Sequence, residues 1–195
     1  LEKEKQVINL IKKNRQDASE YHGLKDPIKS SSIIKKELGV NNDNIITIFT
    51  NVAHDAEVFY QSKIFPDMLS WLFYTIDYFI DNQDIDLIIR SHPSEAYHLI
   101  AKQKVIPEIL KKYGSVPNNI KLVPPESRFS TYTLLDISKA TIIFGTTVGL
   151  ESTIIGIPAI LASKTYYENN FSFSPNSRGE YDSLLNKILN LEVSD

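Results

Sequence analysis

The hydrophobic positions along this chain switch repeatedly between two periods. Residues 45–50 (Ile-Ile-Thr-Ile-Phe-Thr) form a β-branched run without polar alternation, the pattern of a strand covered on both faces. Residues 64–80 then carry Met68, Leu69, Leu72, Phe73, Ile76 and Phe79 at helical spacing. The alternation continues with a strand at 86–90, a helix at 95–113 kinked near Pro107, and a strand at 119–123. A short helix at 131–138, a strand at 140–144, a helix at 148–155, a strand at 158–161 and a closing helix at 180–191 complete it. Upstream, residues 2–16 read as a charged amphipathic helix with Val7, Ile8, Leu10 and Ile11 as its stripe. Residues 17–29, with Gly23 and Pro27, read as a linker. One of Ser30, Ser31 and Ser32 then caps a short helix through Leu38, with Gly39 in the left-handed position after it.

Strand and helix alternating five times imply right-handed βαβ units, and so an α/β domain built on a Rossmann-like, doubly wound parallel sheet of about five strands. The expected organisation is an N-terminal helical segment and linker, 1–39, followed by one domain, 40–195. No internal repeat or low-complexity tract interrupts it. The 195 residues are 42% hydrophobic and 23% charged, which suits a packed core and excludes disorder and coiled coil. A formal net charge of −3 offers no broad basic face for duplex nucleic acid. No apolar run approaches the roughly 20 residues that cross a bilayer. With no Cys there is no disulfide, thiolate metal site or Cys nucleophile, as in a reducing compartment; a cytoplasmic location is expected. The chain opens at Leu1 without a signal-peptide pattern and is expected to be part of a longer protein.

In an open parallel sheet, ligands bind beyond the carboxyl ends of the strands, so the strand-to-helix loops hold the candidate chemistry. After the second strand come Arg90-Ser91-His92-Pro93-Ser94-Glu95. Pro93 suits the first position of a helix, and an imidazole there can donate to a phosphate oxygen beside free backbone N–H groups. After the fourth strand come Gly145-Thr146-Thr147-Val148-Gly149-Leu150-Glu151, an anion cradle of two hydroxyls without a lysine. Glu151, one turn into the helix, can accept from a ribose hydroxyl. The two loops are expected on neighbouring strands. Pro124 and Glu126, after the third strand, are expected beside a base, and Asn51 and Asp55, after the first, could face the same cleft; Arg90 and Glu95 complete the candidates. Tyr166, Tyr167, Phe171 and Phe173 can stack on a base or sugar or pack against another domain. No Walker loop, dinucleotide fingerprint or nucleophile elbow occurs, and His54, His92 and His98 do not make a metal spacing.

Asn51…Asp55, the Arg90–Glu95 run and the Gly145–Glu151 run resemble those of the bacterial capsule polysaccharide biosynthesis glycosyltransferases, over about residues 40–167. That resemblance implies one half of a two-Rossmann GT-B fold, the half that binds a nucleotide-activated sugar, often CMP-linked Kdo. It implies that Ser91, His92, Thr146 and Thr147 hold the donor phosphate, with His92 catalytic, and that Pro124, Glu126 and Glu151 serve the nucleoside. No cofactor or metal is implied beyond the nucleotide-sugar. The implied partners are a glycan or glycolipid acceptor and an N-terminal acceptor domain carrying the catalytic base, at the inner face of the cytoplasmic membrane. Bacterial sialyltransferases share the paired hydroxyls. Glycerophosphotransferases of the TagF type share the His-Pro and the pair, which keeps CDP-glycerol open as donor. A UDP-sugar epimerase or a non-catalytic nucleotide-binding module would also use a Rossmann-like scaffold of this kind.

Overall fold

The computed structural model describes Gln6, Asn9, Lys13, Ile28 and residues 30–40, 43–53, 62–96, 103–168 and 172–190. Of the predicted first helix only Gln6, Asn9 and Lys13 fall among them, all three helical and exposed. The chain order is α1 (Ser31–Leu38), β1 (Ile45–Phe49), α2 (Met68–Ile80), β2 (Asp86–Arg90), α3 (Val105–Tyr113), β3 (Ile120–Val123), α4 (Thr131–Asp136), β4 (Ala140–Ile143), α5 (Val148–Ile154), β5 (Ala159–Leu161) and α6 (Arg178–Leu189). The five strands are all parallel, in the order β3-β2-β1-β4-β5. This is the expected Rossmann-like, doubly wound sheet, and it is consistent with one half of a GT-B fold.

Every residue of β1, β2 and β4 is buried, which explains the unbroken apolar runs: helices cover both faces. One face carries Ile46, Ile48, Leu87, Ile89 and Ile142 against Trp71, Phe79, Ile109 and Tyr181 from α2, α3 and α6. The other carries Ile45, Phe49, Ile88 and Ile143 against Ile34, Leu134, Leu135 and Val148 from α1, α4 and α5. Polar groups caught between these layers pair with one another. Thr47 bonds Ser138 at 2.6 Å and Thr141 bonds Ser152 at 2.9 Å. The buried Tyr181 hydroxyl accepts from Trp71 Nε1 at 2.8 Å and bonds Thr75 at 2.7 Å; burial raises its pKa.

Two predicted helices need correction. The helix expected over 64–80 begins only at Met68, because the Asp67 carboxylate accepts from Ser70 N–H at 2.6 Å and starts it there. Upstream, the Ser62 hydroxyl accepts from the N–H groups of Ile64 and Phe65 and holds a turn. The single kinked helix over 95–113 is instead a 3₁₀ turn, Pro93–Ala96, followed by α3 from Val105; residues 97–102 lie outside the described set. Pro107 produces no kink, since it occupies the first turn of α3, where an N–H has no intrahelical partner to lose. The remaining strand and helix ends agree with expectation to within about two residues, the ordinary scatter of helix and strand boundaries. Ile28, in the expected linker, bridges Phe129 in parallel and so lies against the loop after β3.

Candidate functional site

The chain runs from β1 outward to β2 and β3, then crosses back to place β4 on the other side of β1. That reversal is a topological switch point, and in an open α/β sheet the ligand crevice lies outside the carboxyl ends of the strands flanking it. Phe49 pairs with both Arg90 and Ile143. Two residues further on, the register brings Asn51, His92 and Gly145 to one level. Asn51 fixes this level by donating from its side-chain amide to the Gly145 carbonyl at 2.6 Å, while its oxygen accepts from Val52 N–H at 2.8 Å. Gly145 has φ 63°, a left-handed turn that suits glycine and swings the chain off β4. The His92 and Thr146 loops are therefore not on neighbouring strands. β1 lies between them, and two strand spacings separate them by about 10 Å, with Asn51 as the floor.

His92 is half-buried, and its ring Nδ1 accepts from Ser94 N–H at 3.1 Å. While Nδ1 accepts this bond, the ring's donor is Nε2. The His92 carbonyl accepts from Glu95 N–H at 3.0 Å, closing the 3₁₀ turn. That turn directs Glu95 inward to 1% exposure, where Oε2 accepts from Val105 N–H at 3.3 Å and caps α3 from outside the helix. Oε1 has no hydrogen-bond partner among the described residues, and burial pushes the carboxyl pKa up to about 7. Ser91 is fully enclosed, and its hydroxyl is likewise unpartnered among them.

Arg90 is also buried, and burial draws its guanidinium down to about 10. Its two terminal nitrogens donate to the carbonyls of Pro124 and Ser127, the latter at 3.2 Å. It thus clamps the loop after β3, itself a turn closed by Ser127 N–H on the Pro124 carbonyl at 3.0 Å. Pro124 and Glu126 stand exposed on that loop. Asp55 lies outside the described residues.

Thr147 is exposed at the N-cap of α5, and Thr146 is half-buried, its Oγ1 accepting from Val148 N–H at 3.4 Å. Glu151 is buried between α4 and α5, where its carboxylate accepts from the Tyr132 hydroxyl at 2.8 Å. Tyr167 is buried, and its hydroxyl donates to the Thr146 carbonyl, bolting the loop after β5 to the loop after β4. The ring, expected either to stack on a base or sugar or to pack against another domain, packs within this domain's own core instead. Tyr166 is 75% exposed, Phe173 is exposed and bridges Ile160, and Phe171 lies outside the described residues.

The bolt explains Gly149. A Cβ there would lie 2.6 Å from the Tyr167 hydroxyl oxygen, 3.1 Å from Leu161 and 3.2 Å from Ile143. Gly149→Ala should destabilise the chain by about 1–3 kcal/mol in urea unfolding, the usual cost of overpacking. Adding Tyr167→Phe, which removes the closest atom, should recover part of the loss; no recovery would mean that the fit at 149 is set elsewhere.

Among the described residues no group of three or more His, Asp and Glu is placed to hold a metal ion, and no helix is long and apolar enough to cross a membrane. No family model matches the chain, and no curated protein matches it. Among solved structures the chain is similar to Thermosulfurimonas dismutans KpsC, a beta Kdo 2,4 transferase, at 12% identity and a TM-score of 0.43. The match covers 69% of this chain and 38% of that one, so the chain spans well under half the length of the structure it resembles.

Proposed function

We propose that this chain is the donor-binding half of a glycosyltransferase, holding the phosphate of a nucleotide-activated sugar at the switch point. The observation that carries the reading is the Ser94 N–H bond to His92 Nδ1, which leaves Nε2 as the ring's donor, on a residue that the strand register sets level with Asn51 and Gly145. Thr146 and Thr147 bring hydroxyls from the far side of β1. Between them an anion is met by neutral and partially positive donors, which stabilise the charge that grows on the phosphate as the glycosidic bond breaks. The step needs no proton from His92: the bond pair leaves on the phosphate oxygen, and the imidazole N–H shares that charge. The loop that Arg90 clamps, with Pro124 and Glu126, offers backbone groups to the edge of a base.

The donor we favour is CMP-linked, as with Kdo. A glycan or glycolipid of a bacterial surface polysaccharide is the acceptor, brought by a second Rossmann-like domain at the inner membrane face. Calorimetric titration with CMP, CDP, UDP and GDP tests this directly. A clear preference for cytidine nucleotides is expected; tightest binding of UDP or GDP would overturn the donor assignment, and binding of none would overturn the site. Tighter binding of CDP-glycerol than of CMP would instead make the chain part of a glycerophosphotransferase.

A further inference from the structure

Two donors that hold His92 belong to the short turn that follows it. Ser94 N–H bonds the ring Nδ1 at 3.1 Å, and Glu95 N–H bonds the His92 carbonyl at 3.0 Å. The direction of Nε2 is thus tied to where the backbone of residues 94 and 95 lies. A single 3₁₀ turn does not hold itself: its hydrogen bonds are poorly aligned, and one turn costs more order than it gains in bonding. It must be fixed from outside. At its upstream end Ser91 N–H bonds the Val123 carbonyl at 3.1 Å, extending the pairing of β2 with β3. At its downstream end Glu95 turns in to 1% exposure, and its Oε2 accepts from Val105 N–H at 3.3 Å. The N-cap of α3 is Lys104, whose side chain has no acceptor, so Glu95 takes the capping place from elsewhere in the chain.

This anchor works against stability. A carboxyl buried with one oxygen unpartnered among the described residues costs folding free energy, and the same burial raises its pKa. An apolar side chain would fill the space at lower cost, and a Ser or Asp at 104 would cap α3 locally. Neither would tie the start of α3 to the turn that carries His92. We propose that Glu95 is a positioning residue for His92: its carboxyl, bonded to the first N–H of α3, holds the Pro93–Ala96 turn whose backbone orients the ring. Such a supporting bond is what keeps a donor within the narrow geometry that charge stabilisation requires. The consequence for phosphate binding rests on the role proposed above for His92; the coupling of Glu95 to the ring rests on the turn alone.

Imidazole ¹⁵N signals of the histidine-labelled chain at pH 8, with His92 assigned by its loss in His92→Ala, report which ring nitrogen carries the proton. The wild type should show the Nε2–H form. Glu95→Ala should shift His92 toward a mixture of the two forms, and Glu95→Gln, whose amide oxygen accepts the same bond, should restore it. Val105→Pro removes the N–H from the other side, at a first helical position that suits proline and after an extended residue. It should shift the ring as Glu95→Ala does, with little further change when the two are combined. Tyr181→Phe, which removes two hydrogen bonds from the core between α2 and α6, should lower the urea midpoint without moving the ring signals. The ratio of CMP to cytidine affinity should fall by about 3–10-fold in Glu95→Ala and in Val105→Pro, part of the loss expected on removing the ring. The proposal is overturned if the ring keeps the Nε2–H form in both of those variants, if Glu95→Gln fails to restore it, or if Tyr181→Phe shifts it equally. A wild type that binds CMP no better than cytidine overturns the phosphate role of His92 instead, and the ring signals then still decide the role of Glu95.

Discussion

Replacing His92 with alanine should lower glycosyl transfer by about 10²–10³-fold in the protein that contains this chain, with the fold intact. That is the usual cost of removing one donor aimed at developing negative charge. Nucleotide binding should fall less, by about 10–100-fold, because a hydrogen bond to a charged group contributes roughly 1.5–3 kcal/mol to the ground state. The gap between the two losses identifies the role: a residue that only shaped the loop would lower both equally or lower stability instead. The side chain is half-buried and its ring is held by the Ser94 N–H at the rim of the crevice, so truncation removes little packing. Unfolding should accordingly be unchanged within about 1 kcal/mol. Transfer at the wild-type rate would end the phosphate assignment.

Glu95→Gln should remove a large pH dependence of stability. In the unfolded chain this carboxyl has its ordinary pKa of 4.5, while burial holds it at about 7 in the fold. Between those values the folded state retains a proton that the unfolded state has lost. Stability therefore falls as pH rises from 4.5 to about 7 and is level beyond, at roughly 1.4 kcal/mol per pH unit, or about 3 kcal/mol in all. The amide oxygen of Gln can still accept from Val105 N–H, so the cap on α3 survives the substitution. Urea midpoints at pH 5 and pH 8 should draw apart in the wild type and stay close in the variant, which becomes the more stable protein at pH 8. Parallel curves for the two would show that Glu95 does not titrate in this window.

Much of the architecture is written in local patterns. The runs at 45–49 and 86–90 are continuous because both faces of a central parallel strand are covered, so their burial and their parallel pairing are legible together. Pro107 misleads because proline breaks a helix only where an N–H is needed, and its place in the first turn depends on where α3 starts. That start is set by Glu95, ten residues away in sequence, and no period records such a contact.

The site is legible as residue types and not as partners. His92-Pro93 and Thr146-Thr147 stand at strand ends, as their sequence context implies, yet strand order puts β1 between them. Glu151 reads as an acceptor for a ribose hydroxyl, and one of its carboxylate oxygens accepts from the Tyr132 hydroxyl on another helix. Arg90 reads as a cleft cation, but a buried guanidinium serves two loop carbonyls. Tyr167 reads as a ring for stacking on a ligand or packing against another domain, yet its hydroxyl locks Thr146 and crowds the Cβ position at 149. Each of these depends on a contact across the fold that a single chain does not display.

The central claim is that His92 and the Thr146-Thr147 pair converge on one phosphate above the end of β1. Titrating cytidine and CMP in parallel isolates what that phosphate adds to binding, in the wild type, His92→Ala, Thr146→Val with Thr147→Val, and the combination. CMP should bind well ahead of cytidine in the wild type, each set of substitutions should erase most of the difference, and combining them should cost less than the sum. Cytidine affinity should stay constant throughout. A CMP advantage that survives the substitutions, or losses shared equally by cytidine, would place the phosphate elsewhere and contradict the account.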